Sequence, residues 1–412
     1  MELINMSDKV YVDNASTSFP KAPGVSDAIK DFLDNTGCNV NRGGYAVSYD
    51  IGMEVLETRQ LLADLFGVDS PQEVIFTPSV TYSLNMLLQG FLREGDHVIT
   101  TSMEHNAVMR PLHALAQRGV TYDVVACGAD GALRERDIVP LIQSNTKAVV
   151  MLHASNVCGT VLSLDEVATI CREHGLRLIV DAAQTAGVLD INAGSVDALA
   201  FTGHKGLLGP QGIGGFIIKK DFANEIAPLI TGGTGSRSHE IEHPDFLPDK
   251  FEPGTLNIPA ILGLRAAVEY LTTKGLAAIR AHELDLTDAF IAGVRDLDES
   301  GEVVRLIGCE GAPVRRDTQR RPDALAQPDR IAVVSLDFPR HDNAAIAAAL
   351  DSEYGIMTRC GLHCAPTAHH TLGTYPNGTV RFSFGHVNTA DEIAYIVQSL
   401  RHILKGEVRY GF

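Results

Sequence analysis

The chain has 412 residues, 45% hydrophobic and 21% charged, with 34 basic against 51 acidic side chains and a net charge of −17. This length accommodates about two or three domains of ordinary size. The acidic balance argues against a nucleic-acid surface, and no apolar run is long enough to span a membrane. Seven scattered cysteines fit a reducing cytoplasm better than a disulfide framework, and the start Met1-Glu2-Leu3-Ile4-Asn5 lacks the basic-then-apolar pattern of a secretion signal.

The first predicted strand, Val10-Tyr11-Val12, runs into the polar turn Asp13-Asn14-Ala15-Ser16-Thr17. A helix follows over 22–34, then a polar glycine loop over 39–45, then a long amphipathic helix over 49–66. From 73 to 218 strands and helices alternate. Strands are predicted at 73–77, 97–101, 122–126, 148–152, 177–181, 196–200 and 215–218, and helices at 82–88, 107–117, 132–142 and 164–174. Such alternation implies a mostly parallel sheet covered on both faces. Pro78-Ser79-Val80-Thr81 joins a strand to a helix, and the free N–H groups at such a helix start form an anion site. His105 follows a strand end, where ligands of an open α/β sheet collect.

Lys205 stands in Thr202-Gly203-His204-Lys205-Gly206, a glycine-rich turn between two apolar strands. Glycines let the backbone turn and let a ligand approach. A lysine that loses hydration has a lowered pKa and can form an imine with an aldehyde. Upstream, Arg177-Leu178-Ile179-Val180-Asp181 is a strand ending in a carboxylate. A pyridoxal phosphate site needs both parts: a lysine for the Schiff base and an acid for the pyridinium nitrogen.

After Lys219 the pattern changes. A polar glycine stretch over 230–236 leads to Phe251-Glu252-Pro253-Gly254-Thr255-Leu256-Asn257. Helices are predicted at 258–271, 276–296 and 343–353, with strands at 303–307 and 330–338. The basic run Arg315-Arg316-Asp317-Thr318-Gln319-Arg320-Arg321-Pro322, inside 309–329, reads as a solvated loop. Cys364 follows Gly361-Leu362-His363 in a polar loop, where reactive thiols sit. Arg381 lies mid-strand in Gly378-Thr379-Val380-Arg381-Phe382-Ser383, a costly place for an unpaired guanidinium and a good one for gripping a carboxylate with two parallel bonds.

Together these stretches resemble the class V aminotransferase group of fold-type I pyridoxal phosphate enzymes, and within it the cysteine desulfurases. The strongest elements are Val180-Asp181-Ala182-Ala183-Gln184 followed by Thr202-Gly203-His204-Lys205, and the resemblance runs along nearly the whole chain. It implies an α/β fold with a large cofactor domain over 21–257, mostly parallel in its sheet, and a smaller α/β domain built from 1–20 and 258–412. It also implies a cofactor site. Lys205 forms the Schiff base, Asp181 meets the pyridinium nitrogen, His105 stacks on the ring, and Asn156 and Gln184 reach the phenolic oxygen. Val80, Thr81, Thr202 and His204 complete the site. Ser79-Val80-Thr81 replaces the usual Gly-Thr-Thr, so Val80 supplies a backbone donor but no hydroxyl.

In the family, the segment carrying Gly254 and Thr255 reaches the partner subunit's phosphate site, which implies a homodimer. A loop closing its own domain is the alternative. Asn14, Ala15, Asn156, Arg359 and Arg381 are the implied substrate contacts, with Arg381 on the α-carboxylate. Arg359 and Cys364 fall on the Arg and Cys of the short-loop desulfurase motif Arg-x-Gly-His-His-Cys-Ala, while Leu362 replaces its first His. The implied catalytic residues are Lys205, His105 and Cys364. L-cysteine becomes L-alanine, and Cys364 takes the sulfur as a persulfide for a sulfur-acceptor protein. No metal is implied. A selenocysteine lyase uses the same constellation. An aminotransferase leaves Cys364 without a role, and a cofactor-binding scaffold without turnover leaves Lys205, Asp181, His105 and Arg381 unexplained. Cys360 reads as a small core residue, with a resolving thiol as the alternative.

Overall fold

The computed structural model describes residues 9–40, 43–298, 300–309 and 329–406. Asn41 and Arg42 of the glycine loop, and the basic run over 315–322, lie outside the described residues. The strands in chain order are β1 (Val10–Tyr11), β2 (Val74–Thr77), β3 (His97–Thr101), β4 (Thr121–Val125), β5 (Thr146–Leu152), β6 (Arg177–Asp181), β7 (Ala198–Thr202), β8 (Gly214–Ile218), β9 (Arg305–Ile307), β10 (Val333–Asp337), β11 (Ile356–Met357), β12 (Arg359–Gly361) and β13 (Thr379–Ser383).

β2 to β8 form one sheet in the order β2-β8-β7-β6-β5-β3-β4. The strands from β7 to β4 in this order are parallel, and β8 alone runs against its neighbours β7 and β2. Side chains of a strand alternate between faces, and here both faces are covered. Leu178, Val180, Leu199 and Phe201 pack on one side with the helices Ala46–Leu65, Leu164–His174 and Ile258–Lys274. Ile179, Ala198, Ala200 and Phe216 pack on the other with Val80–Phe91 and Asn106–Ala116. Burial on two faces is why these strands read as continuous apolar runs. The parallel strands all end toward one edge, which gathers Asp181, Thr202 and the turns after β3 and β5.

Two predicted helices differ. The stretch 132–142 holds only a short 3₁₀ segment, Glu135–Leu141, because Pro140 has no N–H to continue a helix. The helix expected over 22–34 is Val25–Asp31, followed by a wider π turn over Phe32–Thr36.

The second sheet has the antiparallel order β12-β13-β10-β9. Val334, Leu336, Val380 and Phe382 bury their side chains against Phe290 of helix Leu276–Arg295 and Ile396 of helix Ala390–Leu404. The N-terminal segment joins this second layer: β1 pairs with β11, and Asp13 bridges to Ser383. Among the described residues no helix is long and apolar enough to cross a membrane.

Candidate active site

The lysine wall of the site comes from the carboxyl edge of the large sheet. Thr77, Gly214 and Thr202 are cross-strand partners at the ends of β2, β8 and β7. The start of helix Val80–Phe91 stands above them. Ser79 caps that helix, its Oγ accepting from Tyr82 N at 3.3 Å. The N–H groups of Val80 and Thr81 thereby become the free donors of the first turn. Thr202 Oγ1 and His204 Nδ1 are buried without a partner among the described residues.

Lys205 follows directly. Burial lowers its amine to about 8 despite the opposing pull of Asp181. Asp181 is 5% exposed at the end of β6, with Oδ1 accepting from Ala183 N at 2.9 Å. Burial raises its carboxyl, against that hydrogen bond and Lys205. His105 caps helix Asn106–Ala116, its Nδ1 accepting from Ala107 N at 3.0 Å. Burial and the nearby Lys205, Arg359, Arg110 and Arg381 lower its imidazole to about 4, so it is neutral at physiological pH. The turn after β5 carries Asn156, which is 6% exposed. Gly159 closes that turn with φ +80°, and a Cβ there would lie 2.5 Å from the Val333 carbonyl, so only glycine lets the two sheets approach.

The arginine wall comes from the second sheet. Arg359 on β12 and Arg381 on β13 are direct cross-strand partners. Arg381 is 1% exposed. Its Nη1 donates to the Asn156 carbonyl at 3.0 Å, and its Nη2 to Asp13 Oδ1 at 2.6 Å and Ser16 Oγ at 2.8 Å. Its Nε is buried without a partner among the described residues. Arg359 Nη1 donates to the same Ser16 hydroxyl at 3.1 Å, and its Nη2 to Cys364 Sγ at 3.6 Å.

Cys364 is exposed. It and His363 both hold left-handed backbone, at φ +59° and +48°. Non-glycine residues adopt that conformation only where the surroundings enforce it, and three contacts do so here. Asn156 Nδ2 donates to the His363 carbonyl at 2.8 Å, Asn106 N donates to the Cys364 carbonyl at 2.8 Å, and His363 Nε2 bonds Thr379 Oγ1 at 3.0 Å. The second contact ties the thiol loop to the residue after His105.

Of the residues expected from sequence, Asn14, Ala15, Gln184 and Lys205 line one cavity between the walls. Gln184 Nε2 donates to the Ala15 carbonyl at 3.0 Å. Gly254 and Thr255 are exposed, and Thr255 lines a separate cleft with Thr77, Pro78 and Tyr82. Their segment is held by Glu252, whose carboxylate takes both ends of the Arg59 guanidinium at 2.8 and 2.6 Å in the buried interior. Cys360 turns away from the thiol loop and packs against the small-sheet core, where burial raises its thiol pKa.

Sequence reasoning passed over Asp13, Ser16 and Lys21. Ser18 N, Thr17 Oγ1 and Lys21 Nζ all donate to the His204 carbonyl, at 2.9, 3.0 and 3.0 Å. They fix the backbone from which Lys205 projects. The signal for Asp13 was available: a buried mid-strand arginine requires an acid, and Asp13 adjoins the segment already singled out.

A family model for class-V aminotransferases matches residues 10–396. A probable cysteine desulfurase of Methanothermobacter thermautotrophicus is 31% identical over 407 residues, covering 97% of this chain and 95% of the relative. The cysteine desulfurase of Haloferax volcanii is 31% identical over 404 residues, with coverages of 95% and 88%. Among solved structures, the apo cysteine desulfurase from Thermococcus onnurineus NA1 superposes with a TM-score of 0.85 at 30% identity, covering 97% of this chain and 96% of that one. The match to the family model, which spans both walls of the site and the loop carrying Cys364, establishes that this chain belongs to the class-V aminotransferase family.

Proposed function

We propose that the protein is a pyridoxal phosphate-dependent cysteine desulfurase, converting L-cysteine to L-alanine and retaining the sulfur on Cys364. The observation that carries this reading is the exposed Cys364 thiol, held by three contacts on a left-handed turn and faced by the Arg359 guanidinium. An aminotransferase needs no thiol there.

The chain's residues fit the cofactor. Thr202 Oγ1, His204 Nδ1 and Asn156 Oδ1 are buried polar atoms without partners among the described residues, a costly arrangement that a polar ligand relieves. The N–H groups of Val80 and Thr81 with Thr202 and His204 would hold the phosphate. Asp181 would meet the pyridine nitrogen, His105 the ring face, Asn156 and Gln184 the phenolic oxygen, and Lys205 would supply the covalent link. Bound there, pyridoxal phosphate supplies the electron sink for chemistry at the substrate Cα.

The chain's side chains do the rest. Arg381 orients the α-carboxylate through Nε, which is buried without a partner among the described residues, and Asn14 and Ala15 line the cavity with Lys205. Lys205 Nζ, with its lowered pKa, takes the Cα proton and returns a proton to the product. Arg359 Nη2 holds Cys364 Sγ at 3.6 Å and so aims the sulfur that attacks the substrate thiol. The Cys364 Sγ–S bond forms as the substrate Cβ–S bond breaks. The carbon keeps the electron pair and is protonated, so alanine leaves and a persulfide stays. Its exposed position suits a sulfur-acceptor protein. Exposed Tyr49 and Met53 on helix Ala46–Leu65, Tyr45 just before its start and exposed Thr255 support a homodimer. The division into 21–257 and 1–20 with 258–412, and a cytoplasmic location, belong to the same reading.

The test loads the protein with pyridoxal phosphate, adds L-cysteine, and quantifies alanine, sulfide and bound sulfur. Equal alanine and sulfur are expected, with one added sulfur on the Cys364 peptide after a single turnover. Keto acid in place of alanine would return the reading to an aminotransferase. A parallel run with L-selenocysteine separates a lyase with selenium preference.

A further inference from the structure

His363 immediately precedes Cys364 and is 2% exposed. Two roles are open to a histidine there: a base for the neighbouring thiol, or an anchor for its turn. The hydrogen bonds around it decide between them. Ser335 of β10 is a cross-strand partner of Arg381, and Thr379 lies two residues before Arg381 on β13. Residues directly opposite, and residues two apart on a strand, share a face. Ser335, Thr379 and Arg381 are each at most 1% exposed, so their polar atoms need partners.

Ser335 Oγ donates to the Val157 carbonyl at 2.6 Å, and that oxygen can only accept. Ser335 has one proton, so toward Thr379 Oγ1, at 3.1 Å, it accepts. The single hydroxyl proton of Thr379 is thereby spent, and Thr379 Oγ1 must accept from His363 Nε2 at 3.0 Å. The chain of donors fixes His363 as the tautomer protonated on Nε2. Its remaining lone pair, on Nδ1, is buried without a partner among the described residues. Cys364 is exposed, and its Sγ takes a bond from Arg359, whereas a base for the thiol would need Nδ1 at the sulfur. Burial and the nearby Arg381, His369 and Arg359 hold the imidazole far below its ordinary value, so it is uncharged near neutral pH. The His363 carbonyl accepts from Asn156 Nδ2 at 2.8 Å, and the Asn156 carbonyl accepts from Arg381 at 3.0 Å. Side chain and carbonyl of His363 therefore both lead back to Asn156 and Val157. We propose that His363 is a positioning residue, whose Nε2–H anchors the Cys364 turn, through Thr379 and Ser335, to the turn that also braces Arg381. It registers the attacking sulfur against the gripped α-carboxylate and moves no proton. The inference rests on the desulfurase reading and deepens it.

The test follows the holoenzyme through one turnover of L-cysteine, with sulfur on Cys364 read by mass spectrometry. Calorimetric titration with L-alanine measures the carboxylate grip without turnover. His363→Ala should slow sulfur transfer roughly tenfold to a hundredfold, the scale of a misplaced reacting group, and keep alanine affinity within about twofold. His363→Gln should recover most of that loss, because its amide N–H can reach Thr379 although it cannot act as a base. Thr379→Val removes the acceptor without touching a titratable group and should slow transfer as His363→Ala does. The double variant should be no slower than either single one, since each deletes the same link. The Thr379 arm decides the matter even where His363→Ala does not fold. His363→Gln as slow as His363→Ala, or Thr379→Val at the wild-type rate, overturns the inference, the first in favour of a base. Alanine affinity falling in step with the transfer rate overturns it in favour of a merely structural role. A wild type that places no sulfur on Cys364 overturns it together with the desulfurase reading.

Discussion

The two walls of the site are built by different physics. The lysine wall is made of strand ends. Asp181 and Thr202 occupy the last positions of neighbouring parallel strands, and Lys205 follows within the next turn. Apolar packing on both faces of the sheet sets their spacing. The arginine wall is made of polar contacts between segments far apart in sequence: Asp13 and Ser16 with Arg381, Asn156 with His363, and Asn106 with Cys364. The first wall is positioned by a core that exists without the site. The second wall holds its charges only because each has a named partner, so it should be the more sensitive to single polar substitutions.

The largest effect expected breaks the lysine wall chemically and leaves it intact physically. Lys205→Ala should lower alanine formation by roughly 10²–10⁴-fold or more, since both the covalent link and the proton carrier are lost. The far-ultraviolet circular dichroism should be unchanged, because the turn is held by the His204 carbonyl contacts and not by the amine. Loss of fold instead would mean that the wall depends on its lysine. On the opposite wall, Cys364→Ser should leave about a hundredth of the sulfide release or less, while amino-acid binding measured by calorimetry persists.

Arg381→Ala comes next and tests the sensitivity of the polar wall. It removes the carboxylate grip and strands Asp13, and buried charge pairs broken on one side cost about 2–5 kcal/mol. A KM for cysteine raised roughly 30-fold or more is expected, together with a lower melting temperature. An unchanged KM would place the carboxylate site elsewhere. A smaller effect sharpens the electrostatics of the lysine wall. In cofactor-free protein, Lys205 should become reactive toward an acylating reagent as pH rises through about 8, well below its ordinary value of 10.5, because burial favours the neutral amine. Asp181 opposes that shift, so Asp181→Asn should move the midpoint further down. A midpoint moving up would reverse the assigned sign.

The lysine wall was the more legible in sequence, for a physical reason. Its residues follow apolar strands of clear length, so Lys205 and Asp181 stood out from the residues themselves, while the roles of His105 and Asn156 came only with the family resemblance. The arginine wall depends on pairing between distant segments, which local periodicity does not carry. Arg381 was visible as a mid-strand charge, but in the segment holding its partners Asp13 and Ser16 the family resemblance pointed to Asn14 and Ala15 instead. The segment 132–142 was misread because its apolar spacing suits a helix and Pro140 was not weighed against it. Glu252 looked like part of a loop motif, yet it is the buried partner of Arg59, a pairing across sequence of the same hidden kind.

The smallest effect expected concerns Cys360, four residues before the nucleophile. Proximity in sequence suggests a second thiol able to resolve the persulfide, but strand geometry argues otherwise. Neighbouring residues on a strand face opposite sides, so Arg359 faces the site and Cys360 faces away. Its side chain packs against the small-sheet core, where burial raises its thiol pKa and so disfavours the nucleophilic thiolate. Cys360→Ser should therefore keep alanine formation within about twofold of wild type and cost roughly 1 kcal/mol of stability, the scale of placing a hydroxyl among apolar neighbours. Cys360→Ala should fall within the same range of activity, because no chemistry at this sulfur is required. Single-turnover mass spectrometry of both variants should still find the added sulfur on Cys364. Loss of persulfide turnover in both variants, with stability unchanged, would instead draw Cys360 into the chemistry of the arginine wall.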